Sequence, residues 1–131
     1  MGCIVRLPFK HGLLYAEVEL ENKGKKVLIS DVIVDTGAAH SIFLADYLND
    51  LDIDIEENEE LVVTYGYGGY ANSSLRKRIE KISIGNIQLR DFKIDFGEID
   101  PDERINGLLG LDFLKGAKVL IDLDELKIVM K

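Results

Sequence analysis

The chain has 131 residues, 47% of them apolar, a net charge of −8 and a single cysteine, Cys3. That length supports a core without cross-links, the apolar content argues against a disordered chain, and a lone thiol excludes an internal disulfide. The negative charge argues against non-specific nucleic-acid binding, which depends on Lys and Arg neutralising phosphates, and leaves two readings: plain solubility, or a bias toward basic substrates.

No apolar run reaches the roughly 18 residues of a membrane span. The first residues, with Arg6 and Lys10 and no long apolar stretch, carry no secretory leader pattern. Gly2 does not begin an acylation signal, because Arg6 stands where Ser or Thr is required. The expectation is a soluble, cytoplasmic protein with a reduced thiol, organised as a single domain over 1–131.

Residues 3–9 read as a first strand, with Pro8 near its end where a missing donor is tolerated. Residues 13–20 alternate: Leu14, Ala16, Val18 and Leu20 share one face, and Tyr15, Glu17 and Glu19 the other. Glu21-Asn22-Lys23-Gly24 turns the chain. Residues 26–34, rich in β-branched side chains, form the third strand. Asp35-Thr36-Gly37-Ala38 stands where that strand ends, and Gly37 permits the tight turn that lifts an acid out of a sheet. Ser41, with Leu44, Tyr47, Leu48 and Leu51 following at helical spacing, predicts a short helix capped by Ser41. Residues 52–60 hold six acids and no base, which reads as a solvated loop or as an electrostatic selector of substrate.

Residues 61–65 predict a strand entering Gly66-Tyr67-Gly68-Gly69-Tyr70, a glycine-rich tip from which the chain returns as a hairpin arm. After the basic run Arg76-Lys77-Arg78, residues 79–84 form another strand and Gly85-Asn86 turns it. Between 87 and 96 the apolar parity changes from Ile87 and Leu89 to Phe92, Ile94 and Phe96, which predicts a bulge or a register change. Asp100-Pro101-Asp102-Glu103 reads as a surface turn. Asn106-Gly107-Leu108-Leu109-Gly110 precedes the short apolar segment Leu111-Asp112-Phe113-Leu114, and residues 118–123 and 126–130 close the chain as a hairpin across Asp124-Glu125. Short Val/Ile runs separated by turn signals specify an all-β fold.

Two of these stretches, Asp35-Thr36-Gly37-Ala38 and Leu108-Leu109-Gly110 about 70 residues later, together resemble the aspartic proteases of the retropepsin-like family. The resemblance implies a retropepsin-like β-barrel with one or two short helices, active as a homodimeric endopeptidase without a cofactor. It implies that Asp35 is the catalytic carboxylate. Thr36 would brace two loops across the dimer axis, with Gly37 and Ala38 supporting the site and Leu108, Leu109 and Gly110 packing beneath it. Gly66, Tyr67, Gly68 and Gly69, which alone read as a structural turn, would by this resemblance be the tip of a flap over the substrate.

The chemistry needs two carboxylates sharing one proton, because like charges about 3 Å apart cannot both ionise. The chain carries one Asp-Thr-Gly and neither a second nor an Asp-Ser-Gly. A monomer therefore holds half a dyad, and activity implies a homodimer with both copies of Asp35 on a two-fold axis. The expected substrate is a peptide or protein bound as an extended strand, with neither nucleic acid nor membrane as a partner. The alternatives are a non-catalytic dimeric peptide-binding module of the same fold and a monomeric β-barrel interaction domain. An intact Asp-Thr-Gly disfavours the binder, which has no need of the acid.

Other chemistry finds little support. His11, His40 and Cys3 are too sparse for a zinc site. No Gly-x-Ser-x-Gly is present, and no Lys-Ser/Thr follows 66–69 to make a phosphate loop. His40 reads as a loop residue or a tuner of Asp35, and Asp112 as a structural acid partnered by Arg90 or Arg104.

Overall fold

The computed structural model describes residues 3–55, 61–65, 71–99 and 104–130. Along the chain the strands are β1 (Ile4–Arg6), β2 (Phe9–Lys10), β3 (Leu13–Asn22), β4 (Lys25–Val34), β5 (Ile42–Leu44), β6 (Leu61–Tyr65), β7 (Ala71–Ile84), β8 (Ile87–Gly97), β9 (Gly107–Leu109), β10 (Val119–Asp122) and β11 (Lys127–Met130). Two short helices, α1 (Asp46–Asp50) and α2 (Leu111–Gly116), follow β5 and β9. Among the described residues no helix is long and apolar enough to cross a membrane.

The larger sheet runs β2-β3-β4-β9-β5-β8-β7-β6, and a further pairing of β3 with β7 closes its middle into a six-stranded barrel. Two neighbours in that barrel are parallel, β4 with β9 and β5 with β8. Both join strands far apart in sequence, so β9 inserts between β4 and β5 from the C-terminal third of the chain. The interior is aliphatic and aromatic: Val18, Leu20, Val32, Phe43, Ile79, Ile82, Phe96, Leu109 and Phe113 are all buried in one cluster. The second sheet, β1-β11-β10, lays Val5, Ile121, Ile128 and Met130 against it.

The expected first strand is interrupted. The Leu7 N–H donates to Leu126 O (2.8 Å), Pro8 O accepts from Tyr15 N (2.9 Å), and β2 turns back into β3 through His11 and Gly12. Both turn residues have positive φ, 53° and 76°, the conformation whose twist matches a two-residue hairpin. Lys23 and Gly24 (48° and 79°) repeat the device between β3 and β4, so the strands extend to Asn22 and from Lys25.

The helix expected from Ser41 begins later. Residues 42–44 are strand β5, held on one side by β8 and on the other by β9, and α1 starts at Asp46 with Ala45 as an N-cap lacking a side-chain bond. Between β7 and β8 the parity change is present, but as neither an insertion nor a register shift: partners from Ser74↔Gly97 to Ile84↔Ile87 keep one register. The ladder skips Glu80 and Asp91, Asp91 has φ 55°, and both strands exchange faces there. Of the acidic stretch, Ile53 packs on the core, Asp52, Asp54 and Ile55 are exposed, and residues 56–60 lie outside the described residues, as does the expected turn at 100–103.

Candidate active site

Strand β4 carries the chain to Asp35, whose N–H donates to Leu109 O at 2.9 Å, extending the β4–β9 ladder by one bond. The side chain is half-buried, and its Oδ1 accepts the Gly37 N–H at 2.9 Å. A Cβ at Gly37 would stand 3.2 Å from that oxygen, so a side chain there would crowd the carboxylate. The Ala38 N–H returns to Asp35 O (3.2 Å), closing a turn whose tip, Thr36 and Gly37, is exposed.

The far side of this turn is tied to the junction of β9 and α2. Leu111 N donates to Ala38 O (2.8 Å) and Gly110 N donates to Ser41 Oγ (2.9 Å). Ser41 Oγ donates in turn to Asp112 Oδ1 (2.7 Å), and Ser41 N to Asp112 Oδ2 (2.9 Å). The Phe113 N–H completes the set on Asp112 Oδ1 (2.8 Å), placing the acid in the first turn of α2, where negative charge suits the exposed N–H groups. Gly110 lies so close to the loop that a Cβ would meet Ala38 O at 2.8 Å and His40 C at 2.9 Å. Neither Arg90 nor Arg104 is the partner of Asp112, and Ser41, read as a helix cap, is a buried hinge-pin between two loops. The Asp112 charge is met locally by backbone and hydroxyl donors, so it needs no distant cation.

The structure thus brings Asp35, Thr36, Gly37 and Ala38 together with Leu109 and Gly110. Leu109 faces the barrel interior, whereas Leu108 lies in a second cluster with Tyr15, Ile33 and Ile105. Gly66, Tyr67, Gly68 and Gly69 lie outside the described residues; the strands on either side of them pair antiparallel as far as Tyr65↔Ala71. His40 is exposed.

One feature carries no local sequence signal. Ladder partners run in a single row across six strands: Tyr15 to Ile33, Ile33 to Leu108, Leu108 to Ile42, Ile42 to Asp95, and Asp95 to Arg76. Opposed residues present side chains to one face, and Ile33, two positions before Asp35, puts this row on the face to which the acid is delivered. The row is apolar up to Ile42 and ends in an ion pair, Arg76 Nε to Asp95 Oδ1 at 2.8 Å and Nη2 to Oδ2 at 3.2 Å.

Among the described residues no three His, Cys, Asp or Glu side chains converge as a metal site requires. A cavity of about 670 Å³ opens elsewhere on the barrel, with Arg6, Lys10, Glu17, Asp31 and Lys81 in its wall and nothing from residues 35–41 or 108–112.

A family model described as Aspartyl protease matches residues 16–113, a span holding both the Asp35 turn and Gly110. The crystal structure of a retropepsin-like aspartic protease from Rickettsia conorii has the same fold, with a TM-score of 0.67 at 22% identity, covering 98% of this chain and 90% of that one. No curated protein matches the chain.

Proposed function

Since the chain belongs to the aspartyl protease family, we propose that it is an endopeptidase whose catalytic carboxylate is Asp35, supplied twice by a homodimer. The observation that carries this reading is the setting of Asp35. It stands at the end of a barrel strand, its backbone fixed by Leu109 and one carboxylate oxygen by Gly37, beneath an exposed Thr36-Gly37 tip. One such acid per chain makes half a dyad.

With two chains paired about a two-fold axis, the carboxylates approach and share a proton, since both cannot ionise at that separation. The ionised oxygen takes a proton from water as the water attacks the scissile carbonyl. The protonated one donates to the carbonyl oxygen, and the tetrahedral intermediate then collapses with the proton passing to the leaving nitrogen. The pair titrates as a unit. Thr36 contacts the partner's loop, Leu108, Leu109 and Gly110 support the site from below, and Gly66, Tyr67, Gly68 and Gly69 cover an extended peptide.

The test pairs cleavage of a diverse peptide library between about pH 4 and 7 with sedimentation at micromolar protein, for wild type and Asp35→Asn. Cleavage by wild type alone, from a dimer, is the expected result. Full activity in Asp35→Asn, or activity from a strict monomer, overturns it. A folded dimer that binds peptides without cutting any would favour a binding module.

A further inference from the structure

The cavity of about 670 Å³ lies on the outer face of the barrel, and its floor is a single ladder row. Leu28 pairs with Glu19, Glu19 with Ser83, and Ser83 with Gln88, so four strands contribute one residue each. All four lie opposite the core face that holds Val18, Leu20, Ile29 and Ile82. One wall is the segment that begins at Val5. A Cβ at Gly85 would stand 2.9 Å from Val5 Cγ2, and the Leu7 N–H donates to Leu126 O at 2.8 Å, which pins this segment beside the floor. Ser83 faces away from the core and is nevertheless only 7% exposed. Its hydroxyl makes no hydrogen bond among the described residues, an unusual state for so buried a group.

The charges in the wall are unevenly committed. Lys10 pairs with Asp31 at 2.6 Å, and Lys81 with Glu21 at 2.9 Å. Arg6, Glu17 and Glu19 have no ion pair among the described residues, so the uncommitted charge is negative. Arg6 is exposed, whereas Glu19 is half-buried beside Ser83. Leu28, 63% exposed, adds an apolar surface at the end of the same row. Resting on the assignment of Asp35 as the catalytic acid, we propose that this cavity is an exosite, which takes a lysine or arginine side chain of the substrate polypeptide at a distance from the bond that is cut.

A long basic side chain has an aliphatic stem and a charged head. The stem lies along Leu28, Val5 and Pro8. The head donates to Glu19, Glu17 and Ser83 Oγ, which accept. An acidic guest would meet two carboxylates, and a neutral one would leave Glu19 without a counter-ion. Tyr15 connects the cavity to the cleft, because it lines the cavity and also begins the row that runs through Ile33 to Leu108 on the face of Asp35. Lys10 stands over its ring at 4.6 Å. A polypeptide leaving the cleft across Tyr15 reaches the floor along β3 and β4, drawn by the chain's net charge of −8. Leu28 precedes Asp35 by seven positions, about 23 Å of strand, which an extended peptide covers in about seven residues.

The test takes one cleavable core peptide and extends it at either end with a Gly-Ser tail, neutral or carrying two lysines about six to eight residues from the scissile bond. In wild type the basic tail at one end should raise kcat/KM by about tenfold, through KM and not kcat. The double variant Glu17→Gln with Glu19→Gln should lose that gain while cleaving the core peptide as before, and Ser83→Ala should reduce it several-fold. Asp50→Asn with Asp124→Asn removes the same charge from exposed positions outside the cavity wall and should keep most of the gain. Ratios between two substrates on one enzyme are insensitive to the folded fraction, and Ser83→Ala carries the test if the double variant fails to fold. A gain that survives in Glu17→Gln with Glu19→Gln, or that the Asp50 and Asp124 control loses equally, overturns the exosite and leaves Asp35 in its role. So does a wild type that cleaves the core peptide and ignores both basic tails. A wild type that cleaves nothing overturns both readings.

Discussion

Asp35 and Asp112 sit on facing turns of the same site and are held in opposite ways. Asp35 is fixed through its backbone, with its carboxylate accepting the Gly37 N–H on Oδ1. Asp112 accepts three donors, Ser41 N, Ser41 Oγ and Phe113 N, across both oxygens. A carboxylate saturated with hydrogen bonds is a strut; one left largely uncommitted has capacity for chemistry. The division lets one turn bear the structural load while its neighbour keeps an acid available to react.

The division is broken most directly by exchanging chemistry for shape at Asp35. Asp35→Asn keeps an oxygen for the Gly37 N–H, so peptide cleavage should fall by at least roughly a thousandfold while unfolding free energy changes by less than about 1 kcal/mol. A comparable loss of stability in urea denaturation would show that the two acids do the same work.

At the other turn the effect should fall on stability. Asp112→Ala strands three donors and should lower the unfolding free energy by roughly 3 kcal/mol, measured by urea denaturation. Ser41→Ala leaves the Gly110 N–H without its partner and removes one of the two donors to Asp112 Oδ1, and should cost roughly 1–2 kcal/mol. If Ser41→Ala proved neutral, the tie between the turns would rest on backbone bonds alone.

The smallest effect belongs to a carboxylate away from both turns. Glu21 pairs with Lys81 (2.9 Å) where β3 meets β7, and the ammonium holds its carboxyl below the ordinary value of 4.5. A carboxylate whose pKa is lowered by folding stabilises above its unfolded pKa and loses that contribution as pH falls through the folded one. The difference in melting temperature between wild type and Glu21→Gln should be small at pH 7 and vanish as pH falls below 4.5 and through the lowered pKa of the folded state.

Much of this architecture is legible in the sequence where the signal is local. The alternation of residues 13–20, the β-branched run before Asp35, and the Lys23-Gly24 turn lie within a few residues of the structure they specify. Ile42–Leu44 is misread because a three-residue strand runs directly into α1, and Leu44, Tyr47, Leu48 and Leu51 keep helical spacing across the join. Ser41 has the composition of a cap, but its partners, Asp112 and Gly110, are about 70 residues away. The row from Tyr15 to Arg76 is silent for the same reason: each step is a register between strands not adjacent in sequence, apart from Tyr15 with Ile33 and Asp95 with Arg76.

The insertion of β9 between β4 and β5 also sets an order of events during synthesis. A nascent chain that has reached Asn106 holds the whole Asp-Thr-Gly turn but lacks the Leu109 carbonyl that receives the Asp35 N–H and the Gly110 and Asp112 groups that grip Ser41. Distant pairings of this kind form late. The acid is thus translated early and seated late, and a ribosome-bound fragment carries the motif without the contacts that fix its geometry.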